Sequence, residues 1–165
     1  MDSILRSSRH RRILPSWPTS IFAMTIDLIT GGVSVGRMRF AYDLVEHDFL
    51  ISEVGRSATV LRSTADLIWH GVWLPGPDGR EAGMTLGFVP NERLQQIRIK
   101  MVKPETRRRG VWSATAEDEM KVFHDQLLRE LLGEPPYNFP WGRTTSVIDQ
   151  HDYSAVIVVA YGQRG

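Results

Sequence analysis

The sequence predicts an α+β fold: an antiparallel sheet of about six strands, one long amphipathic helix packed on one face, and a second short helix. Three observations predict it. Between residues 58 and 102, segments of strand-like patterning follow one another through links of a few residues, the mark of an antiparallel meander. From Thr115 to Leu132 the apolar spacing becomes helical. The last segment, SAVIVVAYG, is nearly all apolar, which places it inside the sheet rather than at its edge.

The elements follow in chain order. MTIDLITGGVSVG opens with alternating apolar positions at Met24, Ile26 and Leu28, a first strand that Gly31 and Gly32 turn. AYDLVEHDFLISEVG reads as a short helix. Asp43 would cap it, with Glu46 closing a capping box. Leu44, Val45, Phe49 and Leu50 give its apolar side, and Gly55 stops it.

Then the period shifts to that of strands. ATVLRS and DLIWHGVWL are two of them, and PGPDGRE is a turn. AGMTLGFV and RLQQIRIKMV are two more, joined by PNE, with Leu94, Ile97 and Ile99 as the buried positions of the second. KPETRRRGVWS reads as a loop. The long helix carries Met120, Phe123, Leu127 and Leu131 as a stripe at spacings of 3, 4 and 4, extended by Ala116. Glu117–Lys121 and Asp125–Arg129 would be supporting pairs on its surface. Gly133 ends it, and Pro135-Pro136 prevent its return. RTTSVID and the final strand form a hairpin around QHDY.

Composition narrows the function classes. With 165 residues the chain fits one domain over 24–165, preceded by a basic tail over 1–23. The net charge is +1, but residues 1–20 carry +3 and the remainder −2, so the basic character belongs to the tail. The tail has arginines ahead of an apolar stretch, as an export signal does. Pro15, Ser16, Pro18, Thr19 and Ser20 interrupt that stretch, and no cleavage motif follows. The expectation is a disordered tail, or a chain that begins at Met24. There are no cysteines, which removes disulfides, thiolate metal sites and cysteine nucleophiles and fits a reducing, cytoplasmic setting. No stretch is long and apolar enough to read as a membrane helix.

Histidine precedes aspartate three times, at His47-Asp48, His124-Asp125 and His151-Asp152. Adjacent side chains diverge on helices and strands alike, so such a pair does not converge on one metal. His124 also has no second ligand three or four residues on, as a zinc pair on a helix requires. Structural or surface roles are expected, the recurrence being coincidence and His124 the exception with a structural job, with no metal and no cofactor. Ser146, Asp149 and His151 hold the residue types of a hydrolytic triad but lack its G-x-S-x-G setting. No glycine-rich loop matches a phosphate-binding fingerprint.

Three features suit binding instead. Arg107, Arg108 and Arg109 form a basic run near Lys100 and Lys103 that would contact phosphates, or a solvated loop. Glu117, Asp118 and Glu119 put negative charge at the start of the long helix, where the macrodipole favours it and a basic partner would meet it. Of the five tryptophans (Trp17, Trp69, Trp73, Trp112 and Trp141), Trp69 and Trp73 share a strand face and would serve as core or as a binding hot spot.

The C-terminal half resembles a group of small bacterial proteins, some of them similar to immunity partners of bacterial toxins. The positions that carry the resemblance are Trp112-Ser113, Glu119, His124, Leu132-Gly133, Trp141-Gly142 and Ser146 with Asp149, after MTLGFVPNERLQQIRI. It spans about residues 84–161. The resemblance implies structural roles for these residues, with Trp141-Gly142 docked under the helix and His124 bonded to that loop, and it supplies no catalytic residues. The leading expectation is a non-enzymatic binding protein, an immunity protein that occludes a toxin's active site. Its contacts would come from Glu117, Asp118, Trp69, Trp73 and the 103–110 loop. The alternatives are a small metal-dependent or His/Asp hydrolase, using His124 or His151 with a nearby aspartate, and a nucleic-acid binder working through Arg107–Arg109.

Overall fold

The computed structural model describes residues 24–64 and 66–162; the basic tail, with Trp17, lies outside them. Among the described residues, ten strands form two sheets, joined by four α-helices and a single 3-10 turn at Pro77–Gly79. Strands β1 (Met24–Ile26), β2 (Val33–Val35) and β3 (Met38–Phe40) form a small antiparallel sheet. The main sheet holds β4 (Thr59–Ser63), β5 (Ile68–Pro75), β6 (Glu81–Phe88), β7 (Leu94–Val102), β8 (Tyr137–Phe139), β9 (Gly142–Asp149) and β10 (Ser154–Tyr161). Their spatial order is β4-β5-β6-β7-β10-β9-β8, antiparallel throughout. The α+β class therefore holds, with seven strands in the principal sheet and β10 inside it. β8, from YNF, and the small sheet were not expected from the sequence.

Local chemistry explains the differences. Leu28 does not continue the first strand; it sits in a turn, 52% exposed. Asp27 Oδ1 accepts the N–H groups of Ile29 and Thr30, which bends the chain directly after Ile26. Helix α1 (Glu46–Ile51) starts later than the capping box predicted, with Val45 as an N-cap that makes no side-chain bond. Glu46 turns inward instead. Gly55 does not stop that helix but sits within a further short turn, α2 (Glu53–Arg56), capped by Ser52, whose hydroxyl accepts the N–H of Gly55 at 3.0 Å. A Cβ at Gly55 would collide with the Phe49 carbonyl, so glycine is required there by close approach. The 103–113 segment is not wholly loop. Pro104–Arg109 form helix α3, with Pro104 in the first turn, the arginines at the C-terminal end that the dipole favours, and Gly110 left-handed after it.

Helix α4 (Ala114–Leu132) buries Met120, Leu127 and Leu128, with Phe123 and Leu131 packed at the margin of the core. Ser113 caps it through Ala116 N–H, and Gly133 ends it with φ 82°. The expected surface pairs are replaced. Lys121 pairs with Asp125 at 2.6 Å, Arg129 with Glu134 at 3.6 Å, and Glu117 faces inward.

The core lies on one face of the main sheet. Val72, Met84, Ile99 and Ile157 form one cross-strand row on that face, and Leu86, Ile97 and Val159 belong to the next. α4, Phe49 of α1 and the small sheet, through Met24, Ile26, Val33, Val35 and Phe40, all join the same cluster. Alternation along each strand sends the intervening side chains to the opposite face, away from α4 and the core cluster.

Candidate protein-binding face

The open face is built by the same register that builds the core. Trp69, Gly71 and Trp73 of β5 point to it, opposite Gly87, Thr85 and Gly83 of β6. Arg98 and Lys100 of β7 continue those rows. Gly83 and Gly87 let the two rings approach the neighbouring strand closely. A Cβ at Gly83 would lie 2.8 Å from the Trp73 ring, and one at Gly87 would lie 2.9 Å from the Trp69 ring. Each indole therefore lies flat on the neighbouring strand. Gly71 does the same for Leu61, whose side chain lies over it.

Each indole is also covered from above by an arginine. Arg62 lies over Trp69 at 5.2 Å from the ring centroid, and Arg107 lies over Trp73 at 4.4 Å. Arg62 reaches this position through a bulge. The pairing Val60↔His70 is followed by Arg62↔Trp69, so Leu61 is the extra residue and both Leu61 and Arg62 face the open side. Arg107 arrives from α3 and also donates to Glu81 Oε2 at 3.2 Å. Two glycine–tryptophan–arginine stacks thus stand on one strand. Trp69 is 5% exposed beneath its arginine, whereas Trp73 is 46% exposed.

Trp73 divides two hollows. On one side a cleft of about 760 Å³ opens between Trp73, the hairpin tip Pro75–Glu81 and Arg107. On the other, a depression of about 470 Å³ runs from Leu61 and Trp69 past Arg98 and Lys100 to Asp149, His151 and Asp152. Arg98 and Asp149 are paired at 2.6 Å across its floor. The N–H of His151 and the Arg98 guanidinium hold the Asp149 carboxyl below the usual carboxylate range. Next to this wall, Tyr153 packs edge-on against Trp112 and donates to Asp118 Oδ1 at 2.8 Å. Trp112 is 59% exposed and Tyr153 40%.

The structure thus brings Trp69, Trp73 and Arg107 together, and it joins Asp118 to Trp112 through Tyr153. Arg108 and Arg109 lie exposed at the end of α3, and Glu119 lies exposed on α4. Glu117 does not lie on the surface. It is 7% exposed, its Oε2 accepts the N–H of Ala155 at 2.7 Å, and its Oε1 stands 3.6 Å from Lys100 Nζ.

The buried histidines, His70 and His124, hold structure. The ladder between β7 and β10 ends at Ile99 and Ile157, and beyond it the strands part. Two backbone donors are left facing the gap, and α4 satisfies both. Glu117 accepts from Ala155, and His124 Nε2 accepts from Met101 N–H at 3.1 Å. Burial, with Arg80 nearby, pushes the His124 pKa down to about 3, so the ring is neutral with its proton on Nδ1. His124 therefore does not bond the Trp141 loop. Trp141 Nε1 instead donates to Leu28 O at 3.0 Å, the ring stacks on Phe139, and Gly31 lies against it. Gly142, at φ 150°, lies too close to the Ala160 carbonyl to bear a side chain.

His47 and His151 are exposed. Ser146 points to the covered face and Asp149 to the open one, because three residues along a strand reverse direction, so no triad assembles. Sequence reasoning missed a buried pair, His70 Nε2 with Glu46 Oε1 at 2.9 Å, whose other oxygen accepts the N–H of Asn91. It ties α1 to β5 and the β6–β7 turn, and it is closed to solvent. Among the described residues no three His, Asp or Glu side chains gather as metal ligands, and no helix is long and apolar enough to cross a membrane.

No protein-family model and no curated protein matches the chain. One chain of a solved complex, described as Rhs1-CT in complex with cognate immunity protein RhsI1, superposes with a TM-score of 0.54 at 10% identity. The alignment covers 84% of this chain and 86% of that one. The likeness shows a shared fold.

Proposed function

We propose that this is a non-enzymatic binding protein that docks on a partner protein through the open sheet face, α3 and the β9–β10 turn. We further propose that it acts as an immunity protein, neutralising a toxin by occluding the toxin's active site. One observation carries the reading: Trp73 is exposed between the two hollows with Arg107 over its ring, Trp112 and Tyr153 are exposed beside the β9–β10 turn that walls the second hollow, and Trp, Tyr and Arg are the residue types that dominate binding energy at interfaces. The polar residues that would have suggested chemistry are spent inside the fold, His124 and Glu117 on backbone donors and His70 on Glu46. The shared fold with one chain of a complex that contains an immunity protein supports the narrower role.

Calorimetric titration against the purified products of the genes flanking its own tests this. The expected result is one stoichiometric protein partner, toxic when expressed alone. Trp73→Ala and Trp112→Ala should each lose about 2 kcal/mol or more of binding free energy. A partner bound equally well by both variants would place the interface elsewhere.

A further inference from the structure

The two arginine-capped tryptophans define the chemistry of the partner, given that the open face binds protein. A guanidinium stacked on an indole is held in place by the ring while its edge donors stay available. Arg107 uses one donor on Glu81, and Arg62 has no acceptor among the described residues. Trp69 and Trp73 are four residues apart on β5, which sets the two stacks roughly 13 Å apart along the strand. Between them the exposed Leu61 lies over Gly71. The row therefore reads cation, apolar side chain, cation.

We infer that this row docks an acidic segment of the partner protein, with two carboxylates about 13 Å apart flanking an apolar residue. An extended strand with acidic residues at positions i and i+4 supplies that spacing. Each carboxylate meets the edge of one guanidinium, and the apolar residue between them meets Leu61. Fixed arginines lower the ordering cost of such contacts. The surroundings favour discrete carboxylates over a nucleic-acid backbone. Arg98 is matched by Asp149 and Lys100 by Glu117, and Glu81 and Asp152 stand beside the same hollows. A continuous polyanion would meet those carboxylates as well as the arginines.

The test is an NMR titration of the isotope-labelled protein with the peptide acetyl-Glu-Ser-Leu-Ser-Glu-amide. The same peptide with Gln at both ends and an octathymidylate serve as comparisons. The Glu peptide should shift the indole N–H signals of Trp69 and Trp73 and the side-chain N–H signals of Arg62 and Arg107. The Gln peptide should bind at least tenfold more weakly, and Arg62→Gln and Arg107→Gln should each weaken the Glu peptide by a similar factor. Equal binding of the two peptides, shifts centred on α4, no binding, or tighter binding of the oligonucleotide would each overturn the proposal. Its failure is separable from that of the wider reading. A protein partner whose affinity is unchanged by Arg62→Gln and Arg107→Gln removes the acidic docking row while leaving protein binding intact.

Discussion

His124 Nε2 accepts the backbone N–H of Met101 at 3.1 Å, at the point where β7 and β10 separate. The contact replaces a ladder hydrogen bond that the splayed strands cannot make. A buried donor without an acceptor costs about 1–3 kcal/mol. The helix thus closes a gap in the sheet that it also covers.

His124→Ala removes the acceptor and leaves a cavity in the core. The expected loss is about 2–4 kcal/mol of folding stability, read by urea denaturation. His47→Ala and His151→Ala, at exposed positions, should change stability by no more than about 0.5 kcal/mol. Equal effects at all three positions would show that the histidine on α4 has no special place.

The pH dependence follows from the same residue. Its pKa is about 3 in the folded protein, against an ordinary 6.5. The unfolded chain therefore takes up a proton as pH falls below about 6.5, and the folded chain does not until about 3. Stability should be level above that range from this group and should fall on acidification through it, by up to about 1.4 kcal/mol per pH unit. His124→Gln should flatten that part of the curve measured between pH 6 and 4.

Glu117 and Asp118 should separate cleanly. Glu117→Gln weakens a buried bond to Ala155 N–H and should cost about 1–2 kcal/mol of stability. Asp118→Asn alters an exposed contact with Tyr153 and should leave stability within about 0.5 kcal/mol. Thermal denaturation of both variants under one condition reads the difference. Loss of the Asp118 contact also returns the Tyr153 hydroxyl, which that carboxylate now holds above its ordinary pKa, toward the usual value.

The glycines under the tryptophans should respond in proportion to burial. Gly87→Ala pushes on Trp69, which is enclosed, and should destabilise by about 1–3 kcal/mol. Gly83→Ala pushes on Trp73, which can yield toward solvent, and should cost less. Tryptophan fluorescence would report the displaced ring in each variant.

Much of the fold was legible because it rests on local period. The meander, the stripe on α4 and the apolar β10 are each written within a few consecutive residues. The tryptophan stacks were half legible: W-x-x-x-W on β5 faces G-x-x-x-G on β6 in antiparallel register, a pairing the sequence contains but only the register reveals. What stayed hidden depends on distant partners. Glu46 resembled a cap because the His70 that claims it lies 24 residues on. Glu117 resembled surface charge because nothing local shows that β7 and β10 part beneath it. Arg62 became part of the candidate site through a one-residue bulge that alternation alone does not predict.

Hydrogen–deuterium exchange of the protein, alone and saturated with the partner identified by titration, would map the docking face. Protection on β4, β5, α3 and the β9–β10 turn, with the exposed side of α4 unchanged, is the result this account predicts. Protection centred on the exposed side of α4 or on the small sheet, with β5 and α3 exchanging as before, would contradict it.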